Sequence, residues 1–327
     1  MPKKKIPIAL LGATGVVGQK VIALLDQNPL FFIAEVSASE GKKETPFSQA
    51  CHWKEPLMEC PKSIESLKLK DPLCIQSEFI ISALPTQSAK KIEPALAKLG
   101  HTIFSNAAAF RMHPDVPLLV PEINMPHLTL VHRQKTSGKI VTNPNCCAVG
   151  VALALAPFQR LGKIQHVSVV TLQSISGAGF PGIASLDILG NTIPYIEDEA
   201  DKITHETKKI LGSADKPASF PITTHVHRVP VLYGHTATLH ITFQDPVDPM
   251  GLNHVKQAYQ RNPYVLHEQP QNPQPLRTLH HADMRTHIGA LRMGDTPHTV
   301  GLVCLTHNLV RGAAGAAIAN LMAFLKI

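Results

Sequence analysis

Apolar and polar positions follow two regimes along the chain. Ile6–Leu11 is a continuous apolar run, the mark of a strand buried on both faces. It runs into Gly12-Ala-Thr-Gly15-Val-Val-Gly18, and Val21, Ile22, Leu24 and Leu25 continue at helical spacing towards a stop near Asn28-Pro29. A second strand is predicted at Phe31–Val36, and a third within Glu78–Pro85. A helix from Gln87 to Leu99, closed by Gly100, leads to a further strand at Thr102–Asn106. Residues 44–72 are rich in Pro and Lys and predict only a loop with a short strand. Strands alternating with helices predict an α/β fold, a Rossmann-like doubly wound parallel sheet.

The second regime begins at Val141-Thr-Asn-Pro-Asn-Cys-Cys-Ala-Val-Gly150. Pro144 fixes a turn, and ten residues dominated by Ala, Val and Leu then predict a buried helix that starts at the paired cysteines. His166–Ser176 alternates as a strand and ends in the glycines of 177–182. Glu197–Leu211 reads as an amphipathic helix on which Glu199 and Lys202 share a face. Leu239, Ile241 and Phe243 alternate with polar residues in a strand that His235 introduces. Asn262–Pro275 reads as a connection, and Arg311–Ile327 as a small-residue helix. This half predicts an α+β domain beside the first sheet.

A chain of 327 residues suits two domains. The net charge of +7 is spread thinly, with no basic run interleaved with aromatics, so anionic small molecules fit it better than nucleic acid. The six cysteines have irregular spacing, which excludes a disulfide framework, and no second close pair completes a zinc site around Cys51 and Cys60. Metal binding is therefore not expected. Met1–Lys5 before Ile6–Leu11 imitates a signal peptide, but the apolar run is too short and no cleavage site follows. No run reaches membrane-spanning length. Reduced thiols without a targeting segment point to the cytoplasm.

Three places carry candidate chemistry. A thiol at a helix start meets unpaired N–H groups and the positive dipole end, which favour thiolate and can hold an oxyanion or a phosphate. Two small buried hydrophobes fit the same two cysteines equally well. The strand–glycine turn–helix at the start suits a dinucleotide, with the helix N-terminus facing the pyrophosphate, or simply a tight turn. At the end of the second strand an acidic residue would take an NAD ribose. Ser37 and Ser39 stand there instead, with Lys42-Lys43 close behind, and favour the 2′-phosphate of NADP; Glu40 argues the other way. His235, after a glycine at a strand mouth, is a candidate base, or an ordinary structural histidine.

Asn143-Pro-Asn-Cys146, Thr171–Gly179, Ser185–Leu189, Arg228-Val-Pro-Val, Gly234-His235-Thr and Asn308–Gly315 occur in one order along the chain. Together they resemble aspartate-β-semialdehyde dehydrogenase, in its archaeal and fungal branch. The resemblance decides the cysteine turn and implies residue roles. Cys146 matches the nucleophile, His235 the acid–base and Gln173 the residue positioning the acyl intermediate. Arg228 matches the reader of the substrate carboxylate and Glu199 that of its ammonium group. Lys202, Arg111 and Asn145 match a phosphate pocket. Gly12, Thr14, Gly15, Val16, Val17, Ser37, Ser39, Ser82, Gly177 and Asn308 match cofactor contacts. Residues 1–145, with 308–327 returning, would bind NADP; 146–307 would carry catalysis and the contacts of a homodimer or homotetramer.

The implied reaction is NADPH-dependent reduction of L-aspartyl-4-phosphate to the semialdehyde, with release of phosphate. N-acetylglutamyl-phosphate reductase and malonyl-CoA reductase are sibling alternatives, and a non-catalytic nucleotide-binding regulator is a reading of another class. The chain departs from the pattern in three places. His227 stands where Asn is usual. Glu197-Asp198 replaces Gly-Gly, which leaves the choice between Glu199 and Glu197 open. The loop after Ser39 is short and lacks an expected Arg.

Overall fold

Two β-sheets organise the chain in this computed structural model, which describes residues 5–26, 28–38, 43–56, 58–269 and 271–327. Ser39, Glu40 and Lys42, which entered the cofactor expectation, lie outside the described residues. The chain divides into two units. One comprises 1–121, 125–144 and 313–327, the other 122–124 and 145–312.

In the first unit, β1 (Ile6–Leu11), β2 (Phe31–Ser37), β3 (Leu69–Lys70), β4 (Phe79–Ser82), β5 (Thr102–Ser105) and β6 (Ile140–Thr142) form one sheet. Their order is β3-β2-β1-β4-β5-β6, and every neighbouring pair is parallel. This is the doubly wound order that the apolar runs predict. The alternation within β1 shows why its run has no polar position. Ile8 and Leu10 join a core with Val21, Ile22, Phe104 and Leu321, while Ala9 and Leu11 join another with Ile80, Leu96 and Ile103. Side chains leave a strand on alternate faces, so a sheet covered on both sides needs apolar residues at every position. The helix Val16–Leu25 stops earlier than the sequence suggests. Asn28 Oδ1 accepts from the N–H groups of Leu30 and Phe31 and closes the turn into β2. The C-terminal helix Gly315–Leu325 belongs to this unit and sets Phe324 edge-on to Phe79 and Phe104.

In the second unit, β7 (Ile164–Gln173), β8 (Ile222–Arg228), β9 (His235–Phe243), β10 (Tyr264–Leu266), β11 (Thr286–Met293) and β12 (Thr299–Thr306) form a mixed sheet ordered β10-β11-β12-β9-β7-β8. β7 and β8 run parallel, and β9 is antiparallel to both β7 and β12. Val167, Val169, Leu239 and Ile241 are buried, whereas Ser168, Val170, Leu172, Thr238 and His240 between them are partly or fully exposed. The helix Ala148–Leu155 is buried along its whole length, and the helix Glu199–Leu211 buries Ile203, Ile210 and Leu211.

Two further elements differ from expectation. The apolar helix begins at Ala148, so the paired cysteines sit in the turn before it. Asn262–Pro275 is not only a connection, because β10 lies inside it and pairs with β11.

Candidate active site

The cysteine turn is built around Asn145. Its Oδ1 accepts from the N–H groups of Cys147 (2.8 Å) and Ala148 (3.1 Å), and its carbonyl accepts from Val149. A side-chain oxygen that takes the free N–H groups leading into a helix caps it from the preceding turn. The N–H of Asn145 itself donates to Glu206 Oε2 at 2.5 Å. The sequence offers the N–H groups of this turn to an oxyanion or a phosphate; those of Asn145, Cys147 and Ala148 already have protein acceptors. The cap brings the turn to a fixed shape and presents Cys146, which is partly exposed, while Cys147 is buried. Burial, reinforced by the neighbouring Cys146, pushes the Cys147 thiol well above its ordinary range.

Cys146 Sγ lies 3.1 Å from His235 Nε2. On the far side of the ring, the backbone N–H of Ser174 donates to Nδ1 at 3.0 Å. A backbone N–H can only donate, so in neutral His235 Nδ1 is the acceptor and the proton sits on Nε2, facing the sulfur. Gly177 packs against this ring. A Cβ there would stand 2.9 Å from Arg228 Nη1 and 3.0 Å from His235 Cε1, so these side chains would have to give way. Gly312 does the same for Cys146, because a Cβ on it would fall 2.6 Å from Cys146 Cβ.

Glu199 is buried, and its Oε1 accepts from Asn145 Nδ2 (2.9 Å) and Gln173 Nε2 (3.1 Å). Burial raises its carboxyl and the nearby Cys146 raises it further, against hydrogen bonds from Asn145 and Gln173 and the pull of His235. Glu197 is exposed on the loop outside. The structure thus puts Glu199, not Glu197, beside Asn145 and Gln173. Arg228, at the end of β8, is also buried and donates Nη1 to Ser174 O at 2.8 Å. β7 and β8 bring Gln173 opposite Arg228 in register. Asn308 takes a supporting place. Its Oδ1 accepts from Gly234 N and its Nδ2 donates to Ser176 Oγ, so it ties together the loops on either side of His235. Lys202 stands 3.9 Å from Asp198 and makes no hydrogen bond to this group. Cys146, His235, Gln173, Glu199, Asn145 and Arg228 therefore form one cluster within the second unit.

Arg111 and the remaining cofactor residues belong to the first unit. Arg111 is buried and donates Nη2 to Asn106 O at 2.6 Å. A cleft of about 980 Å³ opens along Gly12, Thr14, Gly15, Ala38, Leu84 and Lys91, above the helix start at Val16 and Val17. Gly12 has φ +71°, and a Cβ on it would meet Ala83 O at 2.5 Å. A Cβ on Gly18 would meet Gly12 O at 2.3 Å, whereas Gly15 is exposed and has only Gly12 O, at 3.4 Å, in range. Two glycines thus serve the tight turn, and the third leaves the backbone open to a ligand. This fits a dinucleotide pyrophosphate at a helix N-terminus. Ser37 and Ser82 are fully buried at their strand ends, and neither hydroxyl has a hydrogen-bond partner. Ser37 therefore does not present its hydroxyl to a 2′-phosphate in this structure, and Lys43 pairs with Asp71 at 2.6 Å on the cleft wall.

Glu206, Ser174 and Gly312 escape the sequence reading. Glu206 follows Glu199 by seven residues on one helix, so the two share a face, and that spacing is the one signal that could have found it. Both stand inside family motifs, Thr171–Gly179 and Asn308–Gly315, but Ser174 holds His235 through its backbone N–H and hydroxyl and Gly312 acts through a contact with a residue far away in sequence, which no local pattern reveals.

Two protein-family models match the chain. The NAD-binding domain of semialdehyde dehydrogenases matches residues 7–131, and the dimerisation domain matches 155–311. An aspartate-semialdehyde dehydrogenase of Archaeoglobus fulgidus is 35% identical and is aligned over 98% of each chain. A malonyl CoA reductase (NADP) of Metallosphaera sedula is 30% identical, over 97% of this chain and 96% of the other. Among solved structures, the aspartate semialdehyde dehydrogenase with NADP from Candida albicans superposes with a TM-score of 0.87 at 29% identity, covering 99% of both chains.

Proposed function

The chain belongs to the aspartate-semialdehyde dehydrogenase family, and we propose that it reduces L-aspartyl-4-phosphate to L-aspartate-4-semialdehyde and phosphate with NADPH. The observation that carries this substrate is the Glu199 carboxylate. One oxygen is held by Asn145 and Gln173, and the group lies in the same cluster as the Cys146–His235 pair. A buried carboxylate beside the nucleophile suits a substrate that carries an ammonium group, which N-acetylglutamyl phosphate and malonyl-CoA do not. The malonyl CoA reductase relative is the reason to keep the second sibling under test.

In this mechanism the Cys146 thiolate attacks the acyl phosphate carbon, phosphate leaves and a thioester forms, which divides one hard displacement into two easier steps. Bound NADPH supplies the hydride that reduces this acyl group. His235 carries its proton on Nε2, towards the reacting centre, so it is placed to protonate the oxygen of the thiohemiacetal and to take the proton back as the aldehyde leaves. Gln173 positions the acyl group. Arg228 offers a planar fork to the α-carboxylate, which lysine could not reproduce. Lys202, Arg111 and Asn145 are assigned to the phosphate. Gly12, Thr14, Gly15, Val16, Val17, Ser37, Ser39, Ser82, Gly177 and Asn308 are assigned to the cofactor.

The family's dimerisation domain supports a homo-oligomer, a homodimer or homotetramer. We place the enzyme in the cytoplasm, in the synthesis of lysine, threonine and methionine. Among the described residues no helix is long and apolar enough to cross a membrane.

The deciding assay follows NADP reduction with aspartate semialdehyde plus phosphate, beside N-acetylglutamate semialdehyde and malonate semialdehyde. Phosphate-dependent turnover of the first alone is expected. Preference for either other aldehyde would remove Glu199 as the specificity residue, and no turnover of any would return the regulator reading.

A further inference from the structure

Glu93 lies inside the helix Thr86–Lys98 of the first unit and is completely buried. A buried carboxyl is costly unless its oxygens are held, so its partners say what it is for. Ser105 Oγ, at the end of β5, donates to Oε1 at 2.6 Å. Oε2 has no hydrogen-bond partner, and neither has the Ser82 hydroxyl at the neighbouring end of β4, which faces the same carboxyl. One proton on Oε2 would satisfy both atoms at once, with the carboxylic acid donating to Ser82 Oγ. Burial raises the Glu93 carboxyl to about 7, against the two serine hydroxyls, and no charged group from any packed element enters that balance.

The carboxyl is the buried end of a hydrogen-bond chain. Ser105 Oγ, besides donating to Glu93, accepts from the N–H of Ala107 at 3.1 Å. Asn106 donates both its backbone N–H and its Nδ2 to Ser82 O, and its Oδ1 accepts from Asn143. Arg111 donates to Asn106 O. Every bond in this path starts or ends on the strand ends that Glu93 bridges, or on the short turn 106–111 beyond them. None of them requires a carboxylate at position 93 for packing alone, where leucine would fill the space at less cost.

We propose that Glu93 is a positioning residue, which holds Ser82 and Ser105 and through them sets the turn 106–111 so that Arg111 can bind the substrate's phosphate. This rests on the assignment of Arg111 to phosphate under the proposed function. Glu93 is buried away from any ligand, so it acts on affinity through the residues it holds and leaves the chemical step alone.

The test uses the full-length enzyme with Glu93→Gln, Glu93→Ala and Ser105→Ala. The glutamine amide can accept from Ser105 and donate to Ser82, as a protonated acid would. It should keep the KM for phosphate within about twofold of wild type. Glu93→Ala should raise that KM roughly tenfold with kcat changed by less than about threefold, and Ser105→Ala, which leaves Ser82 in place, should move the phosphate KM the same way. A second readout needs no turnover: inorganic phosphate should raise the Tm of wild type and of Glu93→Gln, and raise that of Glu93→Ala much less. Absence of aldehyde turnover in wild type would sink the proposed function while leaving the thermal shifts to decide this proposal. An unchanged phosphate KM in a folded Glu93→Ala or Ser105→Ala would overturn it. So would a glutamine variant as impaired as alanine, or a wild-type Tm indifferent to phosphate.

Discussion

At the scale of single residues, two adjacent cysteines receive opposite treatment. Cys146 faces His235 from a partly exposed turn, while Cys147 is buried and held as a thiol. Cys146→Ser is expected to abolish turnover, and Cys147→Ser to retain most of it. Mass spectrometry of enzyme trapped with acyl substrate should place the adduct on Cys146; an adduct on Cys147 would reverse the assignment. Cys146, His235, Gln173 and Arg228 are legible in the sequence because each sits in a short motif whose order the family repeats. Glu199 is legible only as one of two, since Glu197 has the same chemistry two residues away. Burial and the donors from Asn145 and Gln173 separate them, and those are facts of folding.

Among the elements, strands buried on both faces announce themselves and the rest do so less well. β1, β2, β4 and β5 read as apolar runs because the sheet that contains them buries both faces over most of their length. β8, Ile222-Thr-Thr-His-Val-His-Arg228, carries no such signature, because threonine and histidine fill its partly exposed positions. The helix that follows Cys147 depends on Asn145 to begin. Asn145→Ala should lower stability by about 1 kcal/mol through the lost cap, and kcat/KM should fall as well because Glu199 loses a donor. Asn145→Ser restores the cap but cannot reach Glu199, so it should recover stability by thermal melting without recovering activity. Glu93 gives its helix a pH signature. Its folded carboxyl is raised to about 7 from an ordinary 4.5, so the folded chain holds the proton more tightly. That stability is fully present below 4.5 and is lost as pH rises through 7, in total on the order of 3 kcal/mol. Tm should fall between pH 5 and pH 8, and Glu93→Gln should flatten that part of the profile. An unaltered slope in the variant would assign the dependence to other groups.

For the molecule as a whole, the second sheet leaves side chains of β7 and β9 exposed between the buried ones, and the family model matched there is a dimerisation domain. Val170 and Thr238 are paired neighbours among those positions. Val170→Asp is expected to shift sedimentation towards monomer with the unit still folded, and an unchanged oligomer would move the interface elsewhere. The different burial of the thiols has a further consequence once an oxidant reaches the protein. None of the six cysteines is in a disulfide. Burial raises Cys304 to about 12 and Cys147 well above its ordinary value, so neither offers a thiolate near neutral pH. Peroxide would therefore form a sulfenic acid at Cys146 beside a neighbour too protonated to trap it as a disulfide, and further oxidation would run to the irreversible sulfinic acid. Under oxidative stress the same burial that holds Cys147 as a thiol leaves Cys146 without a thiolate neighbour to resolve it.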